Sequence, residues 1–181
     1  MDPSNEYALS NIGVIYLKRQ DYDACLQFTN QALEVLEDFH TDTREFHKEN
    51  LLEIKLLQRR ARCLEEKEDF EGAKADLDRA QFLDPKNPSV KESIAKIQLK
   101  LNTIKFSEYR EVANAYLKDK KFSEALLNYE NCLRITRNAT TLDNVAIYVN
   151  KIACLLSLEK YGSVVTECND AFRLIKNYKN R

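Results

Sequence analysis

The sequence has no tryptophan, one methionine, three glycines and three prolines in 181 residues. A β-sandwich or a doubly wound α/β fold needs tight turns, and tight turns draw on Asn-Gly and Pro-Gly pairs. Neither pair occurs. The shortage points to helices and argues against Gly-rich phosphate loops. No apolar run approaches the ~18 residues of a transmembrane helix. The N-terminal MDPSNEYALSN lacks the basic and apolar stretches of a secretory signal. Motifs of nucleophile elbows, dinucleotide folds, Walker loops and zinc proteases are also missing, so no catalytic residue and no cofactor is expected.

Metal and disulfide chemistry are poorly provided for. His40 and His47 are seven apart. On a helix that is about 10 Å of rise, too far to share one ion, so no metal is expected. Five cysteines (Cys25, Cys63, Cys132, Cys154, Cys168) are an odd number without C-x-x-C spacing. They read as small buried thiols of a reducing compartment, and the chain as cytoplasmic. The sequon Asn138-Ala139-Thr140 would matter only in a secreted protein.

What is present is 44% hydrophobic and 31% charged residues, the balance of a folded chain with a core. The net charge is −1, so no overall basic field invites nucleic acid. Residues 1–100 carry 20 acidic and 15 basic side chains, and residues 101–181 carry 9 and 13. Opposite signs in the two halves raise the expectation of end-to-end self-association.

Four segments share one template: residues 11–33, 59–85, 111–133 and 150–172. Each carries an aromatic in a polar turn: Tyr22, Phe70, Phe122, Tyr161. Nine residues earlier stands a small or apolar residue (Gly13, Ala61, Ala113, Ile152). Three and ten residues after the aromatic stand further small or apolar ones (Cys25 and Ala32, Ala73 and Ala80, Ala125 and Cys132, Val164 and Ala171). A spacing of seven is one stripe of a helix with 3.6 residues per turn. Small side chains let two helix backbones approach, so each segment predicts a helical hairpin. One hairpin cannot bury its face alone, so the hairpins stack.

The repeats are spaced by 48, 52 and 39 residues. The first excess predicts longer flanking helices, a break near residues 40–43, and Thr41 or Thr43 as helix cap. In the second, Ser89 and Glu92 have capping-box spacing, and Val90, Ile94, Ile97 and Leu101 form an apolar stripe. The third is a polar loop with Thr141 or Asp143 as cap.

This pattern resembles the tetratricopeptide repeat family, down to a proline closing the second repeat, Pro85. The resemblance implies an all-α fold, a right-handed superhelix of four hairpins with an intervening capping-type helix that carries the Val90–Leu101 stripe. The expected domains are 1–101, two repeats plus that helix, and 107–181, two further repeats with a short extension.

Some members of the family hold the acidic C-terminal tails of heat-shock chaperones in a carboxylate clamp. The clamp takes a basic residue and an Asn four later from one repeat, an Asn from the next, and a Lys and an Arg four apart from the third. By this resemblance, Arg110 and Asn114 match the first pair and Asn150 the middle Asn. Asn11 matches the middle Asn again, and Lys55 and Arg59 match the last pair. The order is displaced: the chain reads as the end of one clamp followed by the beginning of another, with neither complete. The expected function is a non-enzymatic interaction module, a chaperone-associated adaptor binding acidic tails in its groove. The alternative is a structural scaffold holding a segment of an assembly, for example a ciliary or dynein-assembly complex. Partners are expected to be proteins, not nucleic acid or membrane.

Overall fold

The computed structural model describes residues 5–39, 46–136 and 142–179. Among these there are helices and no strands: α1 (Glu6–Lys18), α2 (Tyr22–Phe39), α3 (Phe46–Glu66), α4 (Phe70–Leu83), α5 (Pro88–Lys118), α6 (Phe122–Ile135), α7 (Leu142–Ser157) and α8 (Tyr161–Lys179). The fold is all-α. The chain divides into two compact units, Met1–Leu101 and Asn102–Arg181.

Each unit is made of two hairpins, and the same turn closes all four. Two residues before each turn aromatic, the backbone is left-handed: Gln20 (φ 61°), Glu68 (62°), Lys120 (59°) and Glu159 (58°). The next N–H reaches back five residues, from Asp21 to Tyr16, Asp69 to Leu64, Lys121 to Tyr116 and Lys160 to Leu155, at 2.9–3.0 Å. This is the Schellman arrangement that satisfies the last carbonyls of a helix. In the first two turns the same residue starts the next helix. Asp21 Oδ1 accepts from the Ala24 amide (3.1 Å) and Asp69 Oδ1 from the Gly72 amide (2.9 Å). Lys121 stands in that place in the third turn and makes no side-chain cap.

The small-residue stripes face inward. Cys25, Ala32, Ala73, Ala80, Ala125 and Cys132 are all fully buried. In the first unit Leu9, Leu36, Leu56, Leu57 and Val90 build one core cluster, and Ala61, Leu77, Ile97 and Leu101 build another. In the second unit Phe106, Ala113, Tyr129, Ile147 and Cys154 are joined in a single cluster. The fourth hairpin fits its template least well. Ile152 and Val164 are only half-buried, and its turn aromatic Tyr161 is 62% exposed instead of capping the junction.

Three sequence expectations change. The stripe Val90–Leu101 is packed as expected, but its helix does not stop. Residues 102–106 contain neither glycine nor proline, and α5 continues unbroken to Lys118. Its cap is not Ser89. Asn87 Oδ1 accepts from the Val90 amide (3.3 Å), and Pro88, whose fixed φ suits a first helical position, follows it. Ser89 Oγ instead accepts from Gln58 Nε2 at 3.1 Å. Asp143 lies inside the first turn of α7 and is not its cap. Thr41, Thr43, Thr141 and the sequon fall outside the described residues.

Candidate functional site

In the first unit, Asn11 on α1 and Lys55 and Arg59 on α3 line one cavity of about 300 Å³. Lys55 and Arg59 are one helical turn apart, so their side chains leave the same face of α3. Arg59 is half-buried and held in place: Nη1 donates to the Ser10 carbonyl (2.8 Å) and Ser10 Oγ (3.1 Å). Gly13 makes room for it. A Cβ there would lie 3.1 Å from Thr29 Oγ1 and 3.3 Å from Arg59 Nη1. Burial pulls the Arg59 guanidinium below its ordinary value, yet an arginine stays charged at neutral pH. Arg59 also borders a second cavity of about 510 Å³, with Leu17, Ala61, Leu77 and Ile97 below and Arg62 and Lys96 beside it.

In the second unit, Arg110 and Asn114 lie one turn apart on α5, and Asn150 faces them from α7. Asn150 Nδ2 donates to Asn114 Oδ1 at 3.4 Å, and the Tyr129 hydroxyl donates to the same oxygen at 2.7 Å. Burial pushes the Tyr129 phenol up, with the Asn150 amide opposing it. The Arg110 guanidinium lies 5.6 Å from the Phe106 ring centre, and its Nη1 is 3.8 Å from Asp143 Oδ1. All six residues singled out by spacing therefore fall into two groups, one in each unit.

Two features of the sites had no sequence expectation. Ser10 carried no signal. Tyr129 was legible, being seven residues after Phe122 in the place that Thr29 holds in the first repeat.

A further pair of clusters repeats from unit to unit. Arg60 binds Asp76 through both oxygens (2.8 and 2.6 Å) and Asn30 Oδ1 (2.9 Å). Lys151 binds Glu167 (2.7 Å), with Glu130 at 3.5 Å. Each cation stands ten residues before its turn aromatic and each first acid six after. Asn30 and Glu130 each stand eight after the aromatic of the preceding hairpin. Arg60 and Lys151 are thus taken up in packing between helices, while Lys55 and Arg59 line the cavity beside Asn11.

Among the described residues, no group of three His, Cys, Asp or Glu side chains is placed to hold a metal, and no helix is long and apolar enough to cross a membrane. Four cysteines are buried and Cys168 is half-buried, all as free thiols.

No family profile matches the chain. Stress-induced-phosphoprotein 1 of Caenorhabditis elegans is 25% identical over 191 residues, which cover 98% of this chain and 56% of that protein. Hsp70-Hsp90 organizing protein 3 of Arabidopsis thaliana is 23% identical over 185 residues, 97% of this chain and 31% of that protein. The chain thus spans about half the length of the first and about a third of the second. Among solved structures, residues 41 to the end of MamA from Desulfovibrio magneticus RS-1 align with a TM-score of 0.43 at 12% identity, over 98% of this chain and 97% of that one. The repeated sequence template and the four hairpins closed by one type of turn are those that the resemblance to tetratricopeptide repeats implies, and the chain is similar to these proteins along nearly its whole length.

Proposed function

We propose that this chain is a non-enzymatic protein-interaction adaptor that holds acidic C-terminal peptide tails, and that its partners are chaperones. The observation that carries the reading is the grouping of Asn11, Lys55 and Arg59 around one cavity of about 300 Å³. Two cations and an amide lining one cavity suit a carboxylate: the cations supply charge-assisted hydrogen bonds and the amide a further donor. Arg110, Asn114 and Asn150 offer a second, less charged set. The names of the two long relatives, one an organizer of Hsp70 and Hsp90, support chaperones as the partner class.

Each set holds only part of a clamp, so the affinity of either is modest, with Kd on the order of 10–1,000 μM. The test is calorimetric titration of the whole chain with acetyl-Gly-Glu-Glu-Val-Asp. Binding in that range, weakened at least fivefold by Lys55→Ala, supports the reading. Lys55 is exposed, so its loss leaves the fold intact. Absence of binding at millimolar peptide would overturn it.

A further inference from the structure

An asparagine can turn either end of its amide toward a ligand, a carbonyl that accepts or an NH2 that donates. For Asn114 the choice is made from beneath. The Tyr129 hydroxyl (2.7 Å) and Asn150 Nδ2 (3.4 Å) both donate to Asn114 Oδ1. The short bond from Tyr129 holds that oxygen, and the longer Asn150 contact approaches it from α7. What Asn114 keeps for a ligand is its NH2, one turn along α5 from the charge of Arg110.

Packing alone does not require that hydroxyl. Tyr129 is fully buried in the core of its unit, where a phenylalanine ring would occupy nearly the same volume. The equivalent places in the other three repeats hold Thr29, Leu77 and Cys168. The phenol occurs only in the hairpin whose first helix carries Arg110 and Asn114.

We infer that Tyr129 determines the specificity of the second-unit site, by holding the Asn114 carbonyl inward so that the site reads acceptors. A peptide ending in a carboxylate offers only acceptors there. A peptide ending in a carboxamide offers one acceptor in place of two and no charge, so it answers the Asn114 NH2 and Arg110 less well. Tyr129 acts through Asn114 and touches no ligand; it is a positioning residue. The inference rests on the function proposed above.

The test is titration of the 15N-labelled whole chain with acetyl-Gly-Glu-Glu-Val-Asp as free acid and as carboxamide. The side-chain amide resonances of Asn114 and Asn150 report this site separately from the one around Lys55. Wild type should prefer the acid about tenfold or more. Tyr129→Phe should cut that preference about threefold, because only the longer Asn150 contact (3.4 Å) then holds the Asn114 carbonyl inward while the Arg110 charge remains. Asn114→Asp keeps an acceptor for Tyr129 but removes the donor, and should abolish binding of the acid at this site. If wild type discriminates and Tyr129→Phe, folded by its amide spectrum, discriminates equally, the inference is overturned while the proposed function stands. If neither peptide moves resonances of the Asn114 or Lys55 group in wild type, the proposed function falls, and this inference with it.

Discussion

The Arg60 guanidinium grips both carboxylate oxygens of Asp76, at 2.8 and 2.6 Å, and Lys151 holds Glu167 in the corresponding place of the fourth repeat. Each cation joins the two helices of its own hairpin and reaches the second helix of the hairpin before, at Asn30 or Glu130. The Asp76 side chain is 9% exposed and that of Arg60 29%, so removing one partner strands a charge that is largely out of water. Asp76→Ala should cost about 2–3 kcal/mol, with Arg60→Met and the double variant revealing a coupling of about 1–2 kcal/mol. Urea denaturation measures both. A coupling near zero would mean that the pair is held apart in solution.

The four left-handed turn residues predict a gain from glycine. Lys120 has φ 59°, a conformation that costs a residue with a Cβ and costs glycine nothing. Lys120→Gly should stabilise by about 0.5–1 kcal/mol after the extra freedom of the unfolded chain is counted. A lowered Tm would contradict the turn geometry.

Thiol reactivity should separate the cysteines. Burial pushes the Cys63 thiol up to about 12 and Cys132 to about 11, and both are fully buried, while Cys168 is half-buried. Iodoacetamide at pH 8 should alkylate Cys168 alone in the native chain and all five thiols in urea, as counted by mass spectrometry. Rapid native labelling of Cys63 or Cys132 would contradict the packing of α3 or α6.

Acid should undo one seam in a definite direction. Burial tends to raise the Glu65 pKa, but hydrogen bonds from Lys100 and Lys96, each at 2.8 Å, outweigh it and hold the carboxyl below its ordinary 4.5. A lowered folded-state value means that the stabilisation is fully present above the ordinary one and lost as pH falls through the lowered one. Glu65→Gln should therefore cost stability at pH 7 and progressively less below pH 4.5. An equal cost at pH 7 and pH 3 would show that the two lysines contribute nothing.

The hairpins were legible because their signals are local. Ala73 and Ala80, or Ala125 and Cys132, recur at helical spacing beside a turn aromatic, and all four are buried. The six candidate residues were selected by register against the turn aromatics, which fixes the side of a helix from which each leaves, and the structure groups them three and three. What sequence hid is what depends on contacts between hairpins. Ser10 meets Arg59 across 49 positions, and nothing local marks a serine as the support of an arginine. The end of the capping-type helix was misread for a related reason. The repeat template does not show whether a capping-type helix and the next repeat's first helix are one, and residues 102–106 hold no glycine or proline to part them. The weak burial of Tyr161 is equally a matter of neighbours, since the same template place is half-buried at Phe70 and Phe122.

Recognition of a free acidic C-terminus is tested most directly by calorimetry of the whole chain against two peptides that differ only there, acetyl-Gly-Glu-Glu-Val-Asp as free acid and as carboxamide. The account predicts binding of the acid with Kd on the order of 10–1,000 μM, weakening as salt rises, and at least fivefold weaker binding of the carboxamide. A scaffold that holds an internal segment would treat the two alike. Equal affinity for both peptides would contradict carboxylate recognition at Lys55, Arg59 and Arg110.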